Sequence, residues 1–179
     1  MKKIVLASLL ATGLMAAGNE NYFGISAGKL DSSFTIKPNP GFTVVGATDF
    51  TDTSYHFTLG HYYGENGRIS ATYTYVNGED SDTSDALTFS YDFILPIAKS
   101  FSLYAGPSLG YTRLDYSDGT DLSGFHYGAQ AGAIVRVIDN IEIEAGYRYL
   151  METGDDIVTG GNVELENVKM WYVGANIRF

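Results

Sequence analysis

The chain has 179 residues, with 11 Lys+Arg against 21 Asp+Glu, a formal charge of −10 and no cysteine. The acidic excess excludes sequence-independent nucleic-acid binding, which needs cations to neutralise phosphates; the missing thiols exclude a disulfide scaffold, thiol catalysis and thiolate metal sites. Mean hydropathy is −0.04, and no apolar run outside residues 1–18 approaches the ~20 residues of a membrane-crossing helix, which excludes a transmembrane helix bundle.

Residues 1–18 open with Lys2-Lys3, continue through an apolar stretch from Ile4 to Ala11 and end in Ala16-Ala17-Gly18. This order of basic, apolar and small residues predicts a Sec-type signal peptide, cleaved after Gly18 or Ala17. An uncleaved anchor helix is the weaker reading, because the uncharged segment is shorter than a span. The expected division is therefore a leader over 1–18 and one domain over 19–179. Loss of Lys2 and Lys3 leaves nine basic residues against 21 acidic ones, a mature charge of −12. Export outside the cytoplasm also suits a chain without a stray thiol.

From residue 21 onward the dominant period is two, as in strands with unlike faces. In chain order the apolar faces run through 22–30 (Phe23, Ile25, Ala27), 54–63 (Tyr55, Phe57, Leu59) and 68–76 (Ile69, Ala71, Tyr73, Tyr75). They continue through 86–95 (Leu87, Phe89, Tyr91, Phe93, Leu95) and 101–112 (Phe101, Leu103, Ala105, Pro107, Leu109, Tyr111). The last three are 125–137 (Phe125, Tyr127, Ala129, Ala131, Ala133, Val135, Val137), 141–149 (Ile141, Ile143, Ala145, Tyr147, Tyr149) and the C-terminal Trp171, Val173, Ala175, Ile177 and Phe179. Eight strands result. Long connections (31–53, 77–85, 113–124, 150–163) alternate with short ones (64–67, 96–100, 138–140). Glu65-Asn66-Gly67 is expected to place Gly67 in the left-handed conformation of a three-residue hairpin. Centring the last short turn on Asp139 sets Arg136 opposite Glu142 and Val137 opposite Ile141. Each strand has about the 9–11 residues that cross a bilayer when tilted.

The other face is rich in small residues, among them Gly24, Ser26, Gly28, Thr58, Gly60, Ser90, Gly106, Ser108, Gly110, Gly128, Gly132, Gly146 and Gly174. Such residues suit the crowded inside of a narrow barrel better than a water-facing wall. Aromatic residues gather near the strand ends of the apolar face, where interfacial girdles of a membrane barrel stand. A soluble lipocalin-type barrel, with the apolar face turned inward, is the competing reading.

The stretch Leu103-Tyr-Ala-Gly-Pro-Ser-Leu-Gly-Tyr111 resembles the fifth strand of the opacity-type outer-membrane β-barrel domain family, small barrels of Gram-negative bacteria akin to the OmpA transmembrane domain and OmpX. The hairpin from Gly128 to Tyr149 resembles its sixth and seventh strands, and the ending Tyr172-Val-Gly-Ala-Asn-Ile-Arg-Phe179 is similar to the signal that the barrel-assembly machinery reads. The resemblance covers the whole mature chain and implies an all-β, eight-stranded antiparallel up-and-down barrel in the outer membrane. It also implies an assembly signal at Phe179, and relatives that include adhesins and immune-evasion proteins. The chain stops at Phe179, so the peptidoglycan-binding domain of larger relatives is not expected.

Seven charged residues fall on the inward face: Arg68, Asp92, Arg136, Glu142, Glu144, Arg148 and Arg178. Parity allows Arg68 opposite Asp92, and a narrow lumen holds little water, so these charges are expected to pair into a plug, with Gln130 and Arg148 as a second layer. A switchable ion gate is the sharper alternative, opposed by the filled interior of eight-stranded barrels. His56 and His126 point inward and His61 outward; their wide spacing suggests satisfied polar groups rather than metal ligands, and no metal or cofactor is expected. No His-x-Ser pair is present, and His61 has neither serine nor carboxylate two residues away on its strand, so no catalytic residues are assigned and no enzyme is expected.

Fourteen of the 21 acids crowd in or beside the long connections, opposed there by Lys37 and Arg113. They keep exposed loops soluble or gather divalent cations that bridge lipopolysaccharide phosphates; Glu79-Asp80-Ser81-Asp82 lacks the spacing of a calcium loop. The connection 31–53, with Pro38, Pro40, Phe42, Val44, Val45 and Phe50, is the expected docking loop for a host or surface ligand. The expected protein is a monomer in the lipid bilayer, in contact with lipopolysaccharide and both chain ends in the periplasm. Its expected role is structural or adhesive, with a narrow channel for ions or small apolar solutes as the alternative.

Overall fold

The computed structural model describes residues 20–38, 48–77, 83–115, 121–153, 155–158 and 161–179. The expected leader 1–18, Pro40, Phe42, Val44, Val45, Glu79 to Asp82 and Asp118 lie outside the described residues. The strands are β1 (Asn21–Pro38), β2 (Thr48–Tyr63), β3 (Gly67–Asn77), β4 (Thr83–Ala98), β5 (Phe101–Asp115), β6 (Asp121–Ile138), β7 (Ile141–Glu152), β8 (Asp155–Val158) and β9 (Gly161–Arg178). Strands β1 to β7 and β9 follow one another as antiparallel neighbours, β9 pairs back onto β1, and β8 is a short arm on β9. The result is a closed, eight-stranded, up-and-down barrel. Reciprocal backbone bonds between Asn21 and Phe179 (3.2 and 2.9 Å) tie the two ends of the wall together. No helix among the described residues is long and apolar enough to cross a membrane, so any crossing is made by strands.

The register sets the dimensions of the barrel. A walk across partners from Ser33 through Asn167, Met151, Tyr127, Leu109, Phe89, Ala71 and Leu59 returns to β1 at Phe23, ten residues from its start. A stagger of ten residues at about 3.3 Å each, across eight strands about 4.8 Å apart, tilts the strands by about 40°. On β4 the outward apolar series runs from Leu87 to Ile97, which at that tilt spans about 25 Å, the height of a lipid-facing band. Outward residues are exposed along it, Phe93 at 64% and Leu95 at 59%, while inward Asp92 and Ile94 are buried. Such a bare apolar belt rules out the soluble alternative, which would bury these side chains.

Three local features differ from the sequence reading. The first turn keeps three residues, 64–66, but the glycine with positive φ is Gly64 (φ 62°), because Gly67 already pairs with Tyr63 as the first residue of β3. In the last turn, Ile138 pairs with Ile141 and a register shift follows Arg136, so Val137 does not oppose Ile141. A two-residue turn at 139–140 closes the hairpin, and the irregularity absorbs the odd residue while keeping Arg136 opposite Glu142. The strands also run well past their apolar segments. Much of the expected connection 31–53 is ladder, since β1 reaches Pro38 and β2 starts at Thr48. Similarly β5 reaches Asp115, β6 starts at Asp121, and β8 with the start of β9 occupies the end of 150–163. Alternation marks where the wall meets lipid, whereas the backbone ladder continues into water irrespective of side-chain polarity.

Candidate functional site

The lumen is built from even-numbered side chains, which the two-residue period turns inward on every strand. At the short-turn end, Tyr22, Tyr62, Ile94, Tyr104 and Ile134 form a buried apolar cluster. Glycines make room for the rings. Tyr22 lies against Gly60, where any Cβ would overlap its ring. Tyr172, Gly146, Gly132 and Tyr104 are successive partners across β9, β7, β6 and β5. The two tyrosines reach over the two glycines from opposite sides, and their hydroxyls meet at 2.6 Å. The small residues of the inward face are thus the sockets of large ones. Tyr22, Tyr62 and Tyr104 escaped the sequence reading, although they share parity with the glycines beside them.

Arg68 sits at the centre, 1% exposed. Its Nε donates to Asp92 Oδ2 at 2.8 Å, and Nη1 and Nη2 donate to the two oxygens of Glu144 at 2.7 and 2.9 Å. Its guanidinium carbon lies 4.6 Å from the Tyr104 ring centroid and 5.4 Å from that of Tyr22. Asp92 also accepts from Gln130 Nε2 at 2.7 Å, and the Gln130 carbonyl oxygen accepts from Arg148 Nε and Nη2 at 2.9 and 2.6 Å. Gly106, the partner of Gln130 on the intervening strand, lacks the Cβ that would overlap the Tyr91 carbonyl and crowd Asp92. Starting and ending on β7, Glu144–Arg68–Asp92–Gln130–Arg148 makes a ring across the barrel through β3, β4 and β6. Asn176 of β9 adds a 2.7 Å bond to Glu144.

A second carboxylate, Glu142, accepts from Tyr62 at 2.7 Å on one oxygen. Its other oxygen faces Arg136 at 3.4 Å and Arg178 at 3.3 Å, nearer the mouth at the short-turn end. Arg178 stacks on Tyr62, 4.5 Å from the ring centroid. That mouth opens as a vestibule of about 570 Å³. Deeper inside, a cavity of about 20 Å³ between Arg68, Glu144, Arg148, His56 and Tyr172 has room for about one water. Parity anticipated the adjacent pairs Arg68–Asp92 and Arg136–Glu142. The contacts that cross the lumen, Arg68–Glu144 and Tyr62–Glu142, depend on barrel closure.

Toward the long-connection end, each buried histidine lies between two hydroxyls. His56 contacts Ser54 and Thr74 at 3.0 Å, and His126 contacts Thr88 at 3.0 Å and Thr112 at 2.8 Å. Ser54-x-His56 runs in the opposite order to the His-x-Ser pattern sought in the sequence, which is why it was missed. Its serine is 0% exposed and its histidine is held by Thr74 rather than by a carboxylate, unlike an activated nucleophile open to substrate. His61 faces outward, as parity requires, yet it is buried under Tyr63, with Nδ1 3.0 Å from Asn21 Oδ1. Among the described residues, no group of three or more His, Cys, Asp or Glu could hold a metal ion. Val76, Leu150, Val168 and Met170 are buried at this end and add apolar contacts above the polar ring.

The family model for the outer membrane protein beta-barrel domain matches residues 4–179. No curated protein sequence matches the chain significantly. Among solved structures it is similar to Neisserial surface protein A, at 17% identity and a TM-score of 0.63, covering 88% of this chain and 97% of that one. Outer membrane protein H from P. aeruginosa shares 28% identity with a TM-score of 0.61, over 89% and 99% of the two chains. Ail, the attachment invasion locus protein of Yersinia pestis, shares 18% with a TM-score of 0.51, over 89% and 99%. The closed eight-stranded wall, its bare apolar belt and the family match over nearly the whole sequence lead to one assignment: the chain belongs to the outer membrane protein β-barrel domain family.

Proposed function

We propose that this outer-membrane barrel is a non-conducting surface protein that contributes to envelope integrity and adheres through its long connections. The ring Glu144–Arg68–Asp92–Gln130–Arg148 carries this reading, because it fills the cross-section with buried, mutually bonded groups. An ion crossing it would have to break charge-assisted bonds beside a cavity that holds about one water. In this reading the seven charged residues Arg68, Asp92, Arg136, Glu142, Glu144, Arg148 and Arg178 form a plug rather than a gate. Residues 1–18 direct export and leave a barrel over 19–179, both chain ends lie in the periplasm, and Phe179 is read by the barrel-assembly machinery. The protein works as a monomer without catalysis, surrounded by phospholipid and lipopolysaccharide, with 31–53 as the docking connection. Planar-bilayer recordings test the plug. Wild type, Arg136→Ala and Glu142→Ala should pass no current above the bilayer baseline, whereas unitary steps in wild type that either substitution alters would favour the channel.

A further inference from the structure

The mouth at the short-turn end holds more cation than its anion satisfies. Three guanidinium donors converge on one oxygen of Glu142: Nε and Nη2 of Arg136, both at 3.4 Å, and Nη1 of Arg178 at 3.3 Å. These contacts are long beside the 2.7–2.9 Å bonds around Arg68, because two like-charged guanidiniums crowd on a single oxygen. The other Glu142 oxygen is taken by Tyr62. Among the described residues, Nη1 of Arg136 and both Nε and Nη2 of Arg178 make no hydrogen bond. The Arg136 side chain is 44% exposed and open to a ligand, whereas Glu142 is buried beneath it.

These groups line the vestibule of about 570 Å³, a volume usual for a small-molecule site. Two guanidiniums against one carboxylate leave a local excess of one positive charge. On the rim Lys99 stands against Glu20 and Glu65, an acidic balance that opposes a doubly charged anion. Ile94, Ile134 and Pro96 line the same space and give it an apolar side. One missing negative charge, planar N–H forks and an apolar wall describe a singly charged carboxylate with a hydrocarbon body.

We propose that the vestibule binds an organic monocarboxylate, its carboxylate between Arg136 and Arg178 and its apolar body against Ile94, Ile134 and Pro96. That the site faces the periplasm rests on the orientation proposed above, which protease accessibility tests separately. An acyl chain and the last residue of a peptide both carry this chemistry. The experiment titrates folded protein in lipid nanodiscs, which cover the outward belt, with hexanoate, N-acetyl-leucine, hexyl phosphate or hexanol. NMR follows the Nε–H resonances of Arg136 and Arg178, at about pH 8, where the phosphate monoester is a dianion. Hexanoate or N-acetyl-leucine should shift both resonances saturably, and the tighter of the two assigns the body to an acyl chain or to a peptide end. Arg136→Gln should weaken that binding at least about 10-fold, the loss of one charge-assisted contact, with Arg178 as the reporter. Glu142→Gln keeps an acceptor for Tyr62 and removes a negative charge, so it should tighten monocarboxylate binding and admit hexyl phosphate, which wild type should exclude. Four results would overturn the site: no saturable shift with either carboxylate, hexanol binding as tightly as hexanoate, Arg136→Gln within twofold of wild type, or weaker carboxylate binding in Glu142→Gln.

Discussion

Replacing Arg68 by methionine tests whether the lumen is held together as a charged unit. The substitution removes three charge-assisted bonds, at 2.8, 2.7 and 2.9 Å, and leaves Asp92 and Glu144 buried without their cation. Each such bond is worth about 1.5–3 kcal/mol, so the gross loss is about 4.5–9 kcal/mol. Gln130 still bonds Asp92, Asn176 still bonds Glu144, and the methionine retains apolar contact with Tyr104 and Tyr22, which reduces the net cost. Breaking a buried pair from one side costs about 3–5 kcal/mol, and that is the expected destabilisation. The triple variant Arg68→Met/Asp92→Asn/Glu144→Gln removes the stranded charges as well and should recover stability to within about 2 kcal/mol of wild type. Urea unfolding from lipid vesicles supplies the free energies, with the single tryptophan as reporter. Raising the salt to about 1 M should leave the Arg68→Met penalty nearly unchanged, because buried pairs are weakly screened. A loss below about 1 kcal/mol in Arg68→Met, or a triple variant no more stable than the single one, would refute the reasoning.

Gly106→Ala should prevent folding, since its Cβ would overlap the Tyr91 backbone carbonyl, whereas Gly60→Ala first meets the Tyr22 side chain and should cost about 1–3 kcal/mol; heat-modifiable gel mobility distinguishes the two outcomes. Gly146→Ala should separate the Tyr104 and Tyr172 hydroxyls, and Tyr104→Phe in the same chain should recover part of the lost stability, measured by urea unfolding. Trp171, 63% exposed on the belt, should be quenched by brominated lipids and protected from aqueous acrylamide; the reverse pattern would contradict the assignment of faces. Proteolysis of intact cells should cut within the long connections and spare 64–66, 99–100 and 139–140, and cleavage confined to those short turns would invert the proposed topology.

Strand number, antiparallel order and the lipid-facing side were legible in the sequence because all three follow from local rules. A period of two turns Trp171, Val173 and Ala175 one way and Tyr172, Gly174 and Asn176 the other, whatever the rest of the chain does. The same parity brought Arg68 beside Asp92 and Arg136 beside Glu142, since hairpin partners are fixed by the turns that join them. Strand ends were less legible. Ser32 to Pro38 look like loop in composition yet continue the ladder, because backbone pairing above the membrane leaves no hydrophobic trace.

Barrel closure decided the rest. A stagger of ten residues over eight strands sets the height at which each inward residue meets those on the far wall. Arg68 and Glu144 are 76 residues apart and Tyr62 and Glu142 are 80 apart, on strands with no shared hairpin. Their contacts depend on that height rather than on any local pattern. The sequence by itself determined an acidic chain with one lipid-facing and one small-residue face. Tertiary structure determined that the glycines are sockets for Tyr22, Tyr104 and Tyr172, and that the inward charges form a ring rather than separate pairs. The physical reason is that side-chain alternation is a property of each strand, whereas shear belongs only to the closed sheet.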